Sequence, residues 1–366
     1  MTRPPAQQPR SLRGWCIRLH RWLGIGAALF WLIQGLTGTV LSFHFELADA
    51  THAPNHRPTD LPAIEQRLDA LAGPGQGGQV QWIWTTAGLA DRYVVSYKDA
   101  EGTARRARID GAGTVVRDRP ASEPDLLELI RALHIDLLAG RVGHWIMAIT
   151  GLLLVSNLIF GLVVGWPRRG AWKQALRPLR TAHPVARSYS LHRSIGLWGA
   201  VPGLLLALTG SLMLFEHEIR DLAGVPELEL PANPAQGRPV GLTAAVQAGL
   251  TAIPGSRFVG TTLPTADDAS YYLWVRAPGE LYRDGGYGSS LVIVDANNAA
   301  IRGAYPVTQA SPAAAVIASF YPLHTGEAGR LPGRLLALAT GVWLVASVYY
   351  GLQLWLRRRP RNRRPA

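Results

Sequence analysis

The sequence predicts a mainly helical membrane protein. The expected architecture is a four-span helical bundle built from two parallel two-span repeats, with two small extracytoplasmic α+β modules. Three observations predict it. Four apolar stretches, at about 22–43, 144–166, 195–215 and 335–356, are each long enough to cross a hydrocarbon core of about 30 Å as a helix. The chain repeats itself, and basic residues gather in three short segments that flank those stretches.

The repeat is read directly. LHRWLGIGAALFWLIQGLTGTVLSF (19–43) matches LHRSIGLWGAVPGLLLALTGSLMLF (191–215), pairing His20 with His192, Arg21 with Arg193, Thr37-Gly38 with Thr209-Gly210 and Phe43 with Phe215. The stretch starting at Leu133 matches that starting at Leu323 with a one-residue slip. This pairs His134 with His324, Arg141 with Arg330, Gly151 with Gly341 and Gly161 with Gly351. In duplicated membrane proteins the functional site usually lies between the halves.

Taken in order, residues 1–46 are expected to hold a cytoplasmic N-terminus and the first span. A first extracytoplasmic module fills 47–125, and an interfacial helix with the second span fills 126–168. A cytoplasmic loop occupies 169–191, the third span 192–217 and a second module 218–312. Residues 313–366 hold another interfacial helix, the fourth span and a basic tail. The apolar run of the first span exceeds the 7–15 residues of a signal-peptide core, so an uncleaved anchor is expected despite Ala48-Asp49-Ala50. Buried helices of a soluble domain would be nearer 10–14 residues.

Orientation follows the basic residues. Arg3, Arg10, Arg13 and Arg18 precede the first span; Arg168, Arg169, Lys173, Arg177, Arg180, Arg187 and Arg193 lie between the second and third; Arg357, Arg358, Arg359, Arg361, Arg363 and Arg364 follow the fourth. None has a compensating acid nearby, which places both termini in the cytoplasm of a bacterial inner-membrane protein. The net charge of +12 is therefore topological, and no nucleic-acid partner is expected. Trp15, Trp22, Trp166, Trp172 and Trp355 suit an aromatic belt on that side, with Trp145 near the opposite interface. Cys16 is the single cysteine, which excludes intramolecular disulfides, covalent c-type haem, zinc ribbons and iron–sulfur clusters.

Each module reads as a helix followed by strands. In the first, a helix over 61–71 precedes strands at 79–84, 92–97, 104–109 and 114–117, with a tight turn at Asp110-Gly111. In the second, a helix over 242–253 precedes strands at 270–276, 290–295 and 300–305. Such lobes bind a ligand or simply brace the bundle.

Two Leu-His-Arg…Gly…Thr-Gly spans, two Leu-His…Gly-Arg…Gly spans ending in Trp and arginines, and helix–strand modules between them resemble the PepSY-associated transmembrane family. The resemblance covers nearly the whole chain. It implies PepSY-like modules, and points to iron-regulated inner-membrane proteins and to haem-containing siderophore reductases, which release iron by reducing ferric siderophores.

Because both halves enter the membrane in the same direction, matched residues share a depth. His20 and His192 fall at the cytoplasmic starts of their spans; His134 and His324 fall at the periplasmic approaches to theirs. Each pair suits bis-histidine ligation of a b-type haem, so two haems are expected. His44 lies 24 residues beyond His20, about 36 Å of continuous helix. His217 reaches a similar edge, and His144 has no counterpart in the repeat. These three are ligands of the outer haem or of substrate iron, or interfacial polar groups. Arg21, Arg193, Arg141 and Arg330 are candidate partners of haem propionates, with Arg21 and Arg193 equally readable as topological charges. The resulting expectation is a ferric-siderophore reductase. No Gly-rich dinucleotide motif is present, so its electrons come from a quinol, a flavin or a partner reductase. A haem-free regulatory membrane protein and a siderophore or metal transporter are the alternatives.

Overall fold

The computed structural model describes residues 11–51, 57–73, 78–179, 183–228 and 230–358. Arg3, Arg10, Arg180, Arg359, Arg361, Arg363 and Arg364 lie outside those residues. The chain divides into two compact units. One gathers 1–42, 130–214 and 335–366; the other gathers 43–129 and 215–334.

The first unit is a helical bundle. Three helices are long and apolar enough to cross a membrane: Gly140–Gly165, Pro184–Leu214 and the one ending in Arg330–Arg358. A fourth candidate is a pair, Leu12–Gly26 and Ala28–Leu41, bent by 66° at Ala27. The bend corrects the expectation of one continuous first helix. Gly24 and Gly26 flank it, and glycine is the poorest helix former after proline. The repeat keeps the first of these as Gly196 but has Trp198 in place of the second, and there the helix runs unbroken. The third helix begins at Pro184, inside the stretch expected to be a loop. Ala27, Ala28, Trp31, Leu154 and Val348 form the bundle's apolar centre.

The second unit is built on one antiparallel sheet. Its strands are β1 (Gln79–Thr85), β2 (Arg92–Lys98), β3 (Ala104–Asp110), β4 (Val115–Pro120), β5 (Arg257–Thr262), β6 (Ser270–Arg276), β7 (Ser290–Asp295) and β8 (Ile301–Tyr305). Their order is β4-β3-β2-β1-β5-β6-β7-β8. The two stretches read as modules from the sequence thus contribute four strands each to one continuous sheet. They meet where Trp82, Ile83 and Trp84 pair with Thr262, Thr261 and Gly260. Strand β5 was not expected, because RFVGTT carries a central glycine and only two large apolar residues. Gly260 is there for space: the Trp84 indole would lie 2.6 Å from a Cβ at that position.

Helices Leu61–Ala72 and Leu242–Ala252 cover one face of the sheet, burying Ile64, Leu68 and Val246 against Ile83, Val95, Leu273 and Val292. The alternation of the strands sends Trp82, Trp84, Tyr272 and Trp274 to the opposite face. Helices occupy both stretches read from the sequence as short amphipathic ones, as Leu126–Asp136 and Pro312–His324. The first opens with a capping box: Asp125 Oδ1 accepts from the Glu128 amide at 2.9 Å, and Glu128 Oε2 accepts from the Asp125 amide at 3.0 Å.

Candidate functional site

The bundle brings His20 and His192 face to face. Each stands eight residues into its helix, counted from Leu12 and from Pro184. Their ring centroids are 5.9 Å apart, with the planes inclined at 41°. His20 Nδ1 lies 3.0 Å from the carbonyl oxygen of Asn157, and His192 Nδ1 lies 3.1 Å from that of Ser347. A carbonyl can only accept, so each Nδ1 carries the proton and each Nε2 carries the lone pair. Orientation of one ring nitrogen by a backbone carbonyl is the usual outer-shell arrangement of a metal-binding histidine.

The rest of each half-site obeys the repeat. Asn157 and Ser347 are matched at the same offset as Gly161 and Gly351, one helical turn later. A Cβ on Gly161 would stand 3.0 Å from His20 Cε1, and one on Gly351 would stand 3.1 Å from His192 Cε1. Each imidazole therefore sits close against a helix position where a larger residue would crowd it. The two Nε2 lone pairs are the donor set that a bis-histidine iron site would use. The residues present suit a bis-histidine haem.

His134 is held in the same bundle by different means. Its Nδ1 is 2.8 Å from Thr37 Oγ1, and that hydroxyl lies 2.6 Å from the Ile33 carbonyl oxygen. With its single proton given to Ile33, Thr37 accepts from Nδ1–H and leaves Nε2 as the lone-pair nitrogen. Gln34 Nε2 donates to the His134 carbonyl at 2.8 Å, and Gly38 leaves the ring room, with Cε1 at 3.2 Å from where a Cβ would be. Consecutive left-handed residues Leu137 and Leu138 turn the chain from this helix into the next. His144 Nε2 bonds the Leu214 carbonyl at 3.0 Å, which makes it a cross-link between helices.

The other expected histidines belong to the second unit. His324 is the last residue of its helix, and His44 opens the helix His44–Ala50 with its ring 3.8 Å from that of Phe45. His217 is exposed and lies 3.8 Å from Asp221 in its own short helix.

Of the four arginines, Arg193 directs Nε to the Gly165 carbonyl at 2.9 Å, beside Arg13, which donates to the Val164 carbonyl at 3.0 Å. Both oppose the negative end of that helix's dipole. Arg21 stacks on Trp22 with its guanidinium carbon 5.4 Å from the ring centre, and Arg141 and Arg330 are exposed.

Sequence reasoning overlooked two features. Asn157 and Ser347 act through main-chain carbonyls, which no side-chain motif can announce, although their repeat-matched positions signal them. The second is a charge network in the second unit. Arg334 grips Glu46 with two bonds of 2.5 and 2.7 Å, and Arg283 lies 3.2 Å from Glu46 and 3.7 Å from the buried Glu327. Burial pushes the Glu46 carboxyl up, but the Arg334 hydrogen bonds and the Arg283 charge outweigh it and hold it below the usual carboxylate range.

Comparison with known proteins gives one finding. The family described as the PepSY-associated TM region matches this chain over residues 17–358. No curated protein matches it.

Proposed function

The chain belongs to the PepSY-associated transmembrane family, and on that basis we propose that this multi-pass membrane protein is a di-haem reductase. In this reading it passes electrons from the cytoplasmic side of a bacterial inner membrane to periplasmic ferric iron, as a siderophore complex. The observation that carries the proposal is the His20–His192 pair, 5.9 Å apart and doubly locked by carbonyls. Ionisable side chains within membrane helices are costly and tend to be functional. Here two converge with their metal-binding nitrogens selected in advance.

His20 and His192 would hold one b-type haem, and His134 with its repeat partner His324 a second. Haem supplies reversible one-electron chemistry at iron, tuned by its axial ligands and burial. The protein's own part is orientation. The Asn157 and Ser347 carbonyls and the Thr37 hydroxyl fix three imidazoles, while Gly161, Gly351 and Gly38 keep the space beside them open. The basic segments support a cytoplasmic position for the His20–His192 end. The electron donor is external: a quinol, a flavin or a partner reductase.

The test is a pyridine haemochrome assay on the purified chain. Two haems per chain are expected. His20→Ala and His192→Ala should each remove the same low-spin component and about half the haem, as shared ligation requires. Either variant keeping full haem and an unchanged spectrum overturns the assignment.

A further inference from the structure

The end of the helical bundle that carries His20 and His192 is rich in cations and has no carboxylate to meet them. No Asp or Glu occurs in residues 11–42, 140–214 or 335–358. The bundle unit holds one acid, Asp136, which precedes the opposite end of the Gly140–Gly165 helix. In the second unit, by contrast, Arg105, Arg108 and Arg334 each face a carboxylate within 3.1 Å.

Two of the bundle's cations are fixed side by side. Arg13, in the first turn of its helix, donates through Nη2 to the Val164 carbonyl at 3.0 Å. Arg193 donates through Nε to the Gly165 carbonyl at 2.9 Å. Val164 and Gly165 are the last two residues of their helix, so both guanidiniums sit at one helix end. Each spends one N–H there and keeps the others, in the planar fork that matches a phosphate group. A helix C-terminus carries only about half a negative charge, which cannot balance two guanidiniums. The balancing anion comes from outside the chain.

The surroundings point to its source. After Gly165 the chain doubles back along the next long helix. The Leu176 carbonyl accepts from Ser194 Oγ at 2.7 Å and from Trp198 Nε1 at 3.1 Å, and the Leu179 amide donates to Ser190 Oγ at 2.7 Å. Trp198 lies six residues past His192, about 9 Å further along that helix toward the bundle's middle. The returning segment therefore lies beside the bundle's end, not beyond it. It exposes Trp166 and Leu179 by 58% and 56%, together with Arg168, Arg169, Lys173 and Arg177. Exposed indoles among cations at the ends of membrane helices suit a headgroup layer. A soluble anion would leave those apolar side chains against water, whereas a lipid covers them with its acyl chains.

We infer that Arg13 and Arg193 form a binding site for the phosphate of an anionic phospholipid. The inference rests on the membrane-spanning bundle and not on haem. The phosphate accepts from the N–H groups that Val164 and Gly165 leave unspent. A zwitterionic lipid is disfavoured, because its quaternary ammonium adds a cation to a surface that already has an excess.

Native mass spectrometry and thermal unfolding of the full-length chain in detergent test this. The probes are phosphatidylglycerol, phosphatidylcholine with the same acyl chains, and inorganic phosphate. One phosphatidylglycerol per chain should be retained about 25-fold more tightly than phosphatidylcholine, with about fivefold from each arginine. It should raise the unfolding temperature, and inorganic phosphate at the same concentration should not. Arg13→Gln should cut the preference about fivefold and Arg13→Lys should keep most of it. Arg358→Gln removes a cation stacked on Tyr189 and should leave the preference unchanged. Equal retention of the two lipids by the unmodified chain overturns the inference without any variant. An equal loss in Arg358→Gln also overturns it, since the preference then belongs to the whole basic surface. Equal protection by inorganic phosphate does the same, by making the site one for a soluble anion. Haem content is measured on each preparation, and a preference confined to haem-free chains would overturn the inference by giving the pair to haem propionates.

Discussion

Gly161→Ala separates the stability of the bundle from the geometry of its histidine pair. In a helix interior, alanine is favoured over glycine by about 1 kcal/mol, so the substitution should strengthen the Gly140–Gly165 helix. The added Cβ would lie 3.0 Å from His20 Cε1 and 3.3 Å from Nδ1. An ordinary carbon–carbon contact is about 3.5–4.0 Å, so the ring must retreat by roughly 0.5 Å. Retreat stretches the 3.0 Å bond to the Asn157 carbonyl or turns the ring off its rotamer, at about 0.5–1.5 kcal/mol. The two effects nearly cancel in stability. They do not cancel at the site, where a displacement of about 0.5 Å is at the limit of useful ligand geometry. The variant should therefore melt within a few degrees of the parent in detergent while its low-spin haem signal shifts or its haem content falls. Gly351→Ala, with its Cβ 3.1 Å from His192 Cε1, should behave the same way. Gly196→Ala is the control, because no atom lies within 4 Å of its Cβ. Unchanged haem content and spectrum in both Gly161→Ala and Gly351→Ala would refute the reasoning that the carbonyl-locked rings are the ligands.

Thr37→Val removes the acceptor that orients His134, so the second haem signal should shift while the His20–His192 component stays; Thr37→Ser should restore it. Asp49 is buried, pairs with Arg108 at 2.9 Å and accepts from Thr86 Oγ1 and the Leu89 amide, so Asp49→Ala strands a cation and two donors. It should destabilise the sheet unit by about 3 kcal/mol in thermal unfolding, and a loss under about 0.5 kcal/mol would contradict the packing described. Glu46 titrates lower in the folded chain than unfolded, so it stabilises the fold fully above the usual carboxylate range. That contribution disappears as the pH falls through its lowered folded value. Acid unfolding of the parent should thus be steeper there than that of Glu46→Gln, and parallel profiles would show that the Arg334 pair carries no linkage.

The bundle was legible because its signals are local and strong. Long apolar runs, flanking arginines and a repeated Leu-His-Arg each follow from a few adjacent residues. Duplication marked the histidines twice in the sequence, and the rings of His20 and His192 are neighbours in the bundle. What escaped depends on contacts distant in sequence or on main-chain atoms. The break at Ala27 hinges on two glycines that also read as packing residues. Strand β5 has too few large side chains to announce itself and exists because β1 and β6 flank it. The join of the two half-sheets involves residues about 180 apart, Ile83 with Thr261 among them.

Duplication also explains where the halves are allowed to differ. At the histidines the repeat is kept in the imidazole, in its carbonyl partner and in the glycine beside the ring. Between the histidine pairs it is broken in a compensated way. Trp31 of the bent pair donates through Nε1 to the Thr150 carbonyl at 3.1 Å, and its repeat position is Gly203. The space there is filled from the other partner helix. Trp343, whose repeat position is Leu153, donates to the Ile195 carbonyl at 2.8 Å, and its indole would meet a Cβ on Gly199 or Gly203 at 2.2–2.4 Å. Each half therefore keeps one indole bonded across a helix pair, but they are contributed by opposite members of the pair. Packing requires only that volume be filled and the N–H be satisfied, so it tolerates this exchange. Two imidazoles meeting on a shared axis must keep the same orientation, and that constraint accounts for the symmetry surviving at the histidines after it was lost between them.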